Sequence, residues 1–444
     1  MKRIKLILWG FLLGLSLFWA IAQYQLPNPL SQLDLFRLLV QYSGTLAIGV
    51  MSAAMVLAMR SQRIEQRMDG LDKAYRLHKW LGIGTLVTAF SHWILMRIAE
   101  SKGHDEALIG QSVWPVAQEA MGPIQIVLHG LQGAAGPLGN FAFYPAIILI
   151  AVALIKRVPY KFFASTHRLL ALLYLFAAVH AVSLMEFRSW VQPVGIVTGL
   201  LITAGVVSAL LSLSRQIGRG NRASGVIDLV EPFLDVRVVS SHIKMDERWE
   251  GHQAGQFAFV TFDRKEGKHP FTIASAWDPS TRAVMFVTRG LGDYTDLLPE
   301  RLEVGKEVLV EGPYGCFTFD DDKPRQIWVA GGIGITPFIA RMKQRALTPE
   351  DRPVDLFCAV PVRQKEIETR LTADAKAANV TLHFFVADEG KRLSGAELRS
   401  LVPDWQASSV WFCGPAAFGE AIKSDLVVHG LAPQDFHREL FDML

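Results

Sequence analysis

YRLHKWLGIGTLVTAFSHWILMR, residues 75–97, and FFASTHRLLALLYLFAAVHAVSL, residues 162–184, decide how this chain is read. Each is apolar and long enough to cross a bilayer as a helix. Each also holds two histidines, His78 and His92 in the first, His167 and His180 in the second. Imidazole at membrane depth is uncommon, and where it occurs it faces the interior of a helix bundle. The spacings of 14 and 13 residues amount to about 21 Å and about 20 Å of helical rise.

Outward from these stretches, six apolar segments are readable, at about 4–22, 35–59, 77–98, 142–156, 163–185 and 192–213. The first follows Lys2, Arg3 and Lys5 and ends in Ala20-Ile21-Ala22, so an uncleaved helix and a cleaved signal peptide are both open. Either way residue 23 lies outside. The two histidine segments are third and fifth and therefore run in the same direction. His78 then sits level with His167 toward the cytoplasm, and His92 level with His180 toward the outer face. Two facing imidazoles at each of two depths is the ligand set for two bis-histidine haems stacked through a bilayer. Satisfied core histidines, a proton relay and a transition-metal transport site are the alternatives.

Helical phase sets a condition on that arrangement. Fourteen residues fall about 40° short of four turns, so His78 and His92 share a face. Thirteen fall about 140° short, so a bulge, a tilt or a different haem azimuth has to bring His167 and His180 into use. His129 falls in an outer loop and has no assigned role. Arg97, just outside His92, suits a haem propionate or a snorkelling helix end equally.

Charge orients the bundle. Arg60, Arg63, Arg67, Lys73, Arg76 and Lys79 flank one loop, Lys156, Arg157 and Lys161 another, and Arg215, Arg219 and Arg222 follow the last segment. The alternate loops, 23–34 and 99–140, are poorer in cations and carry Asp34, Glu100, Asp105, Glu106 and Glu119. The positive-inside rule then puts the N-terminus, the basic loops and the whole second half in the cytoplasm. A multi-pass protein of the bacterial inner membrane, surrounded by lipid, is the expectation.

The 444 residues suffice for two or three domains, and half of them are hydrophobic. A net charge of +3 is too small to argue for nucleic acid as a partner. The three cysteines, Cys316, Cys358 and Cys413, all lie in the second half without a CxxC or CxxCH. That excludes a disulfide framework, a cysteine zinc site and covalent c-type haem attachment by the usual motif.

From Ser224 the pattern changes to short alternating strands. DVRVVSS (235–241), QFAFVTF (256–262), RAVMFVT (282–288) and EVLVEG (307–312) read as an antiparallel barrel. IWVAGGIGITPF (327–338), VDLFCAV (354–360), TLHFFVAD (381–388) and SSVWFCGP (408–415) alternate with helical stretches such as 415–428, which argues a parallel nucleotide-binding sheet. The fold class is thus a six-helix transmembrane bundle followed by a β-barrel and an α/β domain, with expected boundaries at 1–215, 223–322 and 323–444.

HPFTIAS (269–275), RGLGDYT (289–295), EGPYG (311–315), GGIGITP (331–337), FCGP (412–415) and HRELF (437–441) occur in that order. Together with the histidine pairs they resemble the NADPH oxidase and ferric reductase superfamily, most of all the compact bacterial NADPH oxidases. The soluble half of that family is similar to ferredoxin–NADP reductases. The resemblance implies FAD bound by the segment with His269, Pro270, Phe271, Thr272 and Ser275, Phe271 and Thr272 at the isoalloxazine and His269 near the phosphates, and by Arg289, Gly292 and Thr295 in a second phosphate segment. It also implies a nicotinamide nucleotide on Gly331, Gly332, Gly334, Thr336 and Pro337, with Cys413 and Gly414 near the hydride-transfer line and Phe441 covering the flavin. The haem iron ligands would be His78, His92, His167 and His180.

Plain structural roles exist beside several of these. Phe271 and Ile273 suit a barrel core, RGLGDYT an ordinary turn, and Cys413 a small buried position. Arg363 and Lys365 follow the strand 354–360, where the adenosine 2′-phosphate usually lies. Cations there favour NADPH over NADH, with a solvated helix start as the other reading. The implied function is transfer of electrons from cytoplasmic NADPH, with NADH possible, through FAD and two b-type haems to an outer acceptor. Molecular oxygen giving superoxide is the first choice, ferric chelates the second and a periplasmic redox partner the third. No EF-hand loop occurs in the sequence, so calcium gating is not expected.

Overall fold

The computed structural model describes residues 2–23, 30–102, 123–155, 158, 160–290, 292 and 294–439. Two compact units emerge. The described residues up to Ile64 and Lys73–Ile217 form one, and Glu65–Asp72 and those from Gly218 onward form the other.

The first unit is helical: α1 (Lys2–Ala22), α2 (Gln32–Leu57), α3 (Gln62–Met68, which runs on into the second unit), α4 (Leu71–Ser101), α5 (Pro123–Leu154), α6 (Tyr160–Leu184) and α7 (Pro193–Leu213). Among the described residues six helices are long and apolar enough to cross a membrane, namely all but α3, so this is a multi-pass membrane protein. Ser31 starts α2 with a reciprocal cap. Its hydroxyl accepts the Asp34 N–H at 3.1 Å while the Asp34 carboxylate accepts the Ser31 N–H at 3.2 Å. Pro193 starts α7, where its missing N–H costs nothing.

One boundary differs from expectation. α5 begins at Pro123, so residues read as outer loop, His129 included, belong to a helix that contains Pro137 and Pro145. Glycine and proline signal a loop in water. Within a bilayer the backbone has no water to bond, and neighbouring helices make good what proline removes.

Polar contacts join α2, α6 and α7 in the middle of this unit. Tyr174 Oη meets Ser52 Oγ at 2.8 Å and donates to the Ile202 carbonyl at 3.2 Å. Gly205 makes room for that phenol, since a Cβ there would stand 2.1 Å from Tyr174 Oη.

The second unit holds two sheets. β1 (Arg222–Phe233), β2 (Val238–Met245), β3 (Phe257–Asp263), β4 (Gly267–Thr272), β5 (Ala283–Arg289) and β6 (Glu307–Tyr314), with the short helix α8 (Leu298–Arg301) before β6, form an antiparallel sheet of order β4-β3-β6-β1-β2-β5. The expected barrel is open by strand pairing, and its edges meet where Ile273 bridges Phe286. Ile227, Val260, Ile273, Val284, Phe286 and Val310 fill it, all without exposed surface. Each such side chain contributes about 1.5–3 kcal/mol of burial. Two strands of this sheet went unread in the sequence: β1, whose apolar alternation is broken by Asp228 and Pro232, and β4, which contains His269 and Pro270.

The other sheet is parallel. β7 (Gln326–Gly331), α9 (Thr336–Leu347), β8 (Val354–Val360), α10 (Lys365–Ala377), β9 (Thr381–Val386), α11 (Gly395–Leu401), β10 (Ser409–Cys413), α12 (Ala416–Val428) and β11 (Phe436–Arg438) give the order β11-β10-β7-β8-β9. β7 is the topological switch: the chain leaves it toward β8 and later returns to its other side as β10. A crevice at the carboxyl ends of such strands is where doubly wound sheets take their ligands.

Candidate functional site

In the helical unit α4 and α6 bring the four histidines together as two pairs. The His78 and His167 rings have centroids 5.9 Å apart, and those of His92 and His180 are 6.2 Å apart. An imidazole nitrogen bonds a transition metal at ~2 Å, and a ring centroid lies ~1 Å behind it, so two imidazoles on opposite sides of one ion have centroids roughly 6 Å apart. Both pairs have that spacing.

Three of the four rings are oriented from behind. Nδ1 of His78 faces the Ala54 carbonyl at 2.9 Å, that of His92 the Val40 carbonyl at 3.1 Å, and that of His180 the Ala135 carbonyl at 2.7 Å. Donation of Nδ1–H to a carbonyl leaves Nε2 as the basic nitrogen, the usual state of a metal-bound histidine. The Ser43 hydroxyl lies 3.2 Å from the same His92 nitrogen. His167 stacks on Phe163 instead, and its Nδ1 is buried without a hydrogen-bond partner.

Glycines make the space. A Cβ on Gly139 of α5 would stand 2.5 Å from His180 Nδ1, and one on Gly44 of α2 would stand 3.2 Å from the His92 ring. The phase difference between His167 and His180 is not absorbed by a bulge, because α6 is unbroken α-helix from Tyr160 to Leu184. The two imidazoles leave the helix at different azimuths, and each still meets its partner from α4. Arg97 pairs with Glu100 on its own helix at 2.8 Å and lies over the Trp93 ring.

In the second unit β4 carries the expected flavin segment. His269 stacks on Tyr294, with centroids 4.5 Å apart, beside Phe271. Burial lowers the His269 pKa, which favours neutral imidazole there. The Tyr294 phenol is pushed up to about 12 by burial first and by Asp263 and Glu266 next. Its Oη is buried and has no hydrogen-bond partner. A buried orphan hydroxyl beside two aromatic rings fits a site completed by a polar ligand such as a flavin nucleotide. Nothing in the sequence marked Tyr294 beyond its place in RGLGDYT.

Phe271 packs against the barrel core, Thr272 is buried, and Pro270 is exposed. The Ser275 hydroxyl accepts the Met285 N–H at 3.0 Å. Thr295 opens a 3-10 turn, Thr295–Leu297, that runs into the four-residue α8. Leu298 anchors it in the barrel core, and Leu302 ends it in extended backbone. Thr295 Oγ1 donates to the Gly292 carbonyl at 3.3 Å.

Strand ends β7 and β10 meet closely. A Cβ on Gly334 would lie 2.2 Å from the Cys413 carbonyl oxygen, one on Gly331 2.7 Å from Pro415, and one on Gly414 2.9 Å from Gly331. Gly331, Gly334 and Gly414 are therefore glycine first because two backbones touch. Gly332 differs: its φ of 58° is left-handed, and the near neighbour of a Cβ there would be Arg289 Nη1 at 3.6 Å. Arg289, expected at the FAD phosphates, and the glycine-rich loop after β7 are thus adjacent. Thr336 is buried and donates to the Ile333 carbonyl at 3.2 Å, with Pro337 in the first turn of α9.

Cys413 has no exposed surface and packs with Phe317, Trp328 and Phe338. Burial, then the Glu439 carboxylate, pushes its thiol pKa well up, so it is a neutral core thiol rather than a nucleophile. Phe441 lies outside the described residues. Arg363, past the end of β8, is engaged by Glu389 and Glu368. The carboxylates of that cluster carried no signal beyond their place at strand and helix ends.

A bundle with paired membrane histidines, followed along the chain by a flavin-type barrel and a parallel nucleotide sheet, defines a membrane flavoprotein oxidoreductase. Residues 43–178 match the ferric reductase like transmembrane component, and residues 232–318 match an FAD-binding domain. These matches, with the plant relative below, support placing the chain in the NADPH oxidase and ferric reductase superfamily. It is 28% identical over 218 residues to respiratory burst oxidase homolog protein E of Arabidopsis thaliana, covering 43% of this chain and 22% of that protein. It is 28% identical over 142 residues to the vanillate O-demethylase oxidoreductase of Pseudomonas sp. (strain HR199 / DSM 7063), covering 32% of this chain and 44% of that protein. The chain thus spans less than half the length of these curated relatives. Among solved structures, the flavohem-like FAD/NAD-binding domain of nitric oxide dioxygenase from Vibrio cholerae aligns at a TM-score of 0.42 and 16% identity, covering 49% of this chain and 98% of that one.

Proposed function

We propose that this chain carries electrons from cytoplasmic NAD(P)H across the bacterial inner membrane to an acceptor on the outer face, with molecular oxygen, reduced to superoxide, as the acceptor. FAD supplies the exchange between a hydride pair and single electrons, and two b-type haems supply the relay. The observation that carries this reading is the meeting of four membrane histidines as two pairs with the spacing of a shared metal ion. His78 with His167 would hold one haem toward the cytoplasm, and His92 with His180 the other toward the outside. The carbonyls of Ala54, Val40 and Ala135 keep the ring tautomers that leave a lone pair for iron.

Orientation rests on charge. The arginines and lysines at 60–79 and 215–222 belong on the cytoplasmic side, which puts the reductase unit where NAD(P)H is made. A haem held by both His92 and His180 would supply electron transfer without binding an acceptor at the iron, and for such transfer small size and accessibility favour oxygen.

An absorption spectrum of the detergent-solubilised protein with and without NAD(P)H tests the reading. A Soret band with bis-histidine character, reduced by the nucleotide, is expected together with superoxide detected by a dismutase-sensitive assay. Absence of a Soret band would sink it. Reduction of ferric chelates without superoxide, or slow oxygen use with a co-purifying periplasmic enzyme, would keep the electron path and change the acceptor.

A further inference from the structure

The parallel sheet dictates where the adenosine half of a nicotinamide nucleotide goes. The pyrophosphate belongs at the switch between β7 and β10, and the adenosine ribose over the carboxyl ends of the next strands, β8 and β9. Three charged side chains converge there. Arg363 lies three residues past the end of β8, Glu389 three past the end of β9, and Glu368 in the first turn of α10.

Their geometry is specific. Arg363 forks onto one carboxylate, Nε to Glu389 Oε1 at 2.6 Å and Nη2 to Glu389 Oε2 at 3.1 Å, while its Nη1 donates to Glu368 Oε1 at 2.5 Å. One cation between two carboxylates leaves a net negative charge. Arg363 holds the Glu389 carboxyl below the usual range, so it is ionised at neutral pH. Lys391 is a further cation facing Glu389.

A 2′-phosphate and a 2′-hydroxyl meet this cluster differently. The phosphate brings about two negative charges and only acceptor oxygens, so it meets the repulsion of two carboxylates that already hold three of the five Arg363 N–H donors. A ribose hydroxyl donates, and an ionised carboxylate at this place in a doubly wound sheet is its usual acceptor. Glu389, fixed by the guanidinium fork, has lone pairs left to accept it.

We infer that Glu389 and Glu368 make this protein select NADH over NADPH, with Glu389 accepting the adenosine ribose hydroxyl and Arg363 acting as the positioning residue that holds it. This rests on the reading of the second unit as a nicotinamide nucleotide-dependent reductase. It reverses the preference that Arg363 suggests in the sequence, where its two partners lie 5 and 26 positions away.

The experiment measures anaerobic flavin reduction in the full-length, FAD-loaded, solubilised protein with NADH and with NADPH. It is paired with equilibrium binding of 5′-AMP and adenosine 2′,5′-bisphosphate, which needs no flavin chemistry. Wild type is expected to favour NADH at least tenfold in kcat/KM, through KM rather than kcat, and to bind 5′-AMP more tightly than the bisphosphate. Glu389→Gln combined with Glu368→Gln should move both ratios at least tenfold toward the 2′-phosphate. Arg363→Ala should not weaken NADPH more than NADH. A wild-type preference for NADPH, or a selective loss of NADPH in Arg363→Ala, would overturn the inference by showing that Arg363 binds the phosphate. If neither nucleotide reduces the flavin while the adenosine probes still bind, the reductase reading falls and the inference falls with it.

Discussion

The rings of His92 and His180 lie 6.2 Å apart, centroid to centroid, each with Nδ1 on a carbonyl, Val40 for His92 and Ala135 for His180. If this pair grips an iron porphyrin, replacing either ring leaves one ligand. His180→Ala is expected to lower haem per chain from two to one while NAD(P)H still reduces the flavin. A haem-to-protein ratio from a pyridine haemochrome assay reads this directly, and an unchanged ratio would remove His180 from the ligand set.

Gly139 should matter through the same ring. A Cβ there falls 2.5 Å from His180 Nδ1, whereas at Gly130 of the same helix nothing lies within 4 Å. Gly139→Val is expected to displace the imidazole, at an overpacking cost of about 1–3 kcal/mol, and to lose the outer haem. Gly130→Val should keep both. Equal haem content in the two variants would show that the glycine does not shape the site.

Glu65 gives the reductase unit a pH dependence. It is buried, accepts the Gly315 N–H at 2.5 Å, and burial, with Asp72 adding to it, raises its pKa from 4.5 to about 7. The folded protein then holds this proton more tightly than the unfolded chain. The associated stability is fully present below pH 4.5 and is lost as pH rises to about 7. It amounts to about 3 kcal/mol at most. Glu65→Gln keeps an acceptor for Gly315 and cannot titrate, so its thermal midpoint should lose that slope between pH 5 and 7. The same slope in wild type and variant would assign it elsewhere.

Gly334 and Gly332 look alike in sequence and should respond differently. Gly334→Ala drives a Cβ to 2.2 Å from the Cys413 carbonyl, between two backbones that have no room to part. Gly332→Ala meets only the far end of the Arg289 side chain and pays for a φ of 58°, about 1–2 kcal/mol. Thermal unfolding should show the larger loss for Gly334→Ala, together with a raised KM for nucleotide. A larger loss for Gly332→Ala would mean that the β7–β10 contact is softer than the geometry indicates.

Much of the fold is written locally. Apolar runs of bilayer length, strand alternation and turn glycines marked the six spans and most strands, because those periods come from backbone geometry itself. Failures fell where a local rule meets an unusual solvent or neighbour. α5 keeps Pro137 and Pro145 because the membrane leaves the backbone no alternative to a helix, and β4 keeps Pro270 because it is an edge strand. Of the site, the histidines were readable from type and spacing, but Tyr294 was not, since its value lies in stacking on His269.

Residue order was enough to say that this chain spans a membrane, pairs imidazoles at two depths and ends in a flavin and nucleotide reductase. Only the folded arrangement decided that Gly331 and Gly334 stand against Cys413, Gly414 and Pro415, that Arg363 is held by Glu389 and Glu368, and that Glu65 belongs with Gly315, 250 positions away. The reason is physical. Helix and strand periods repeat within a few residues, whereas charge and steric contact depend on distance in space, of which neighbouring residues along the chain keep no record.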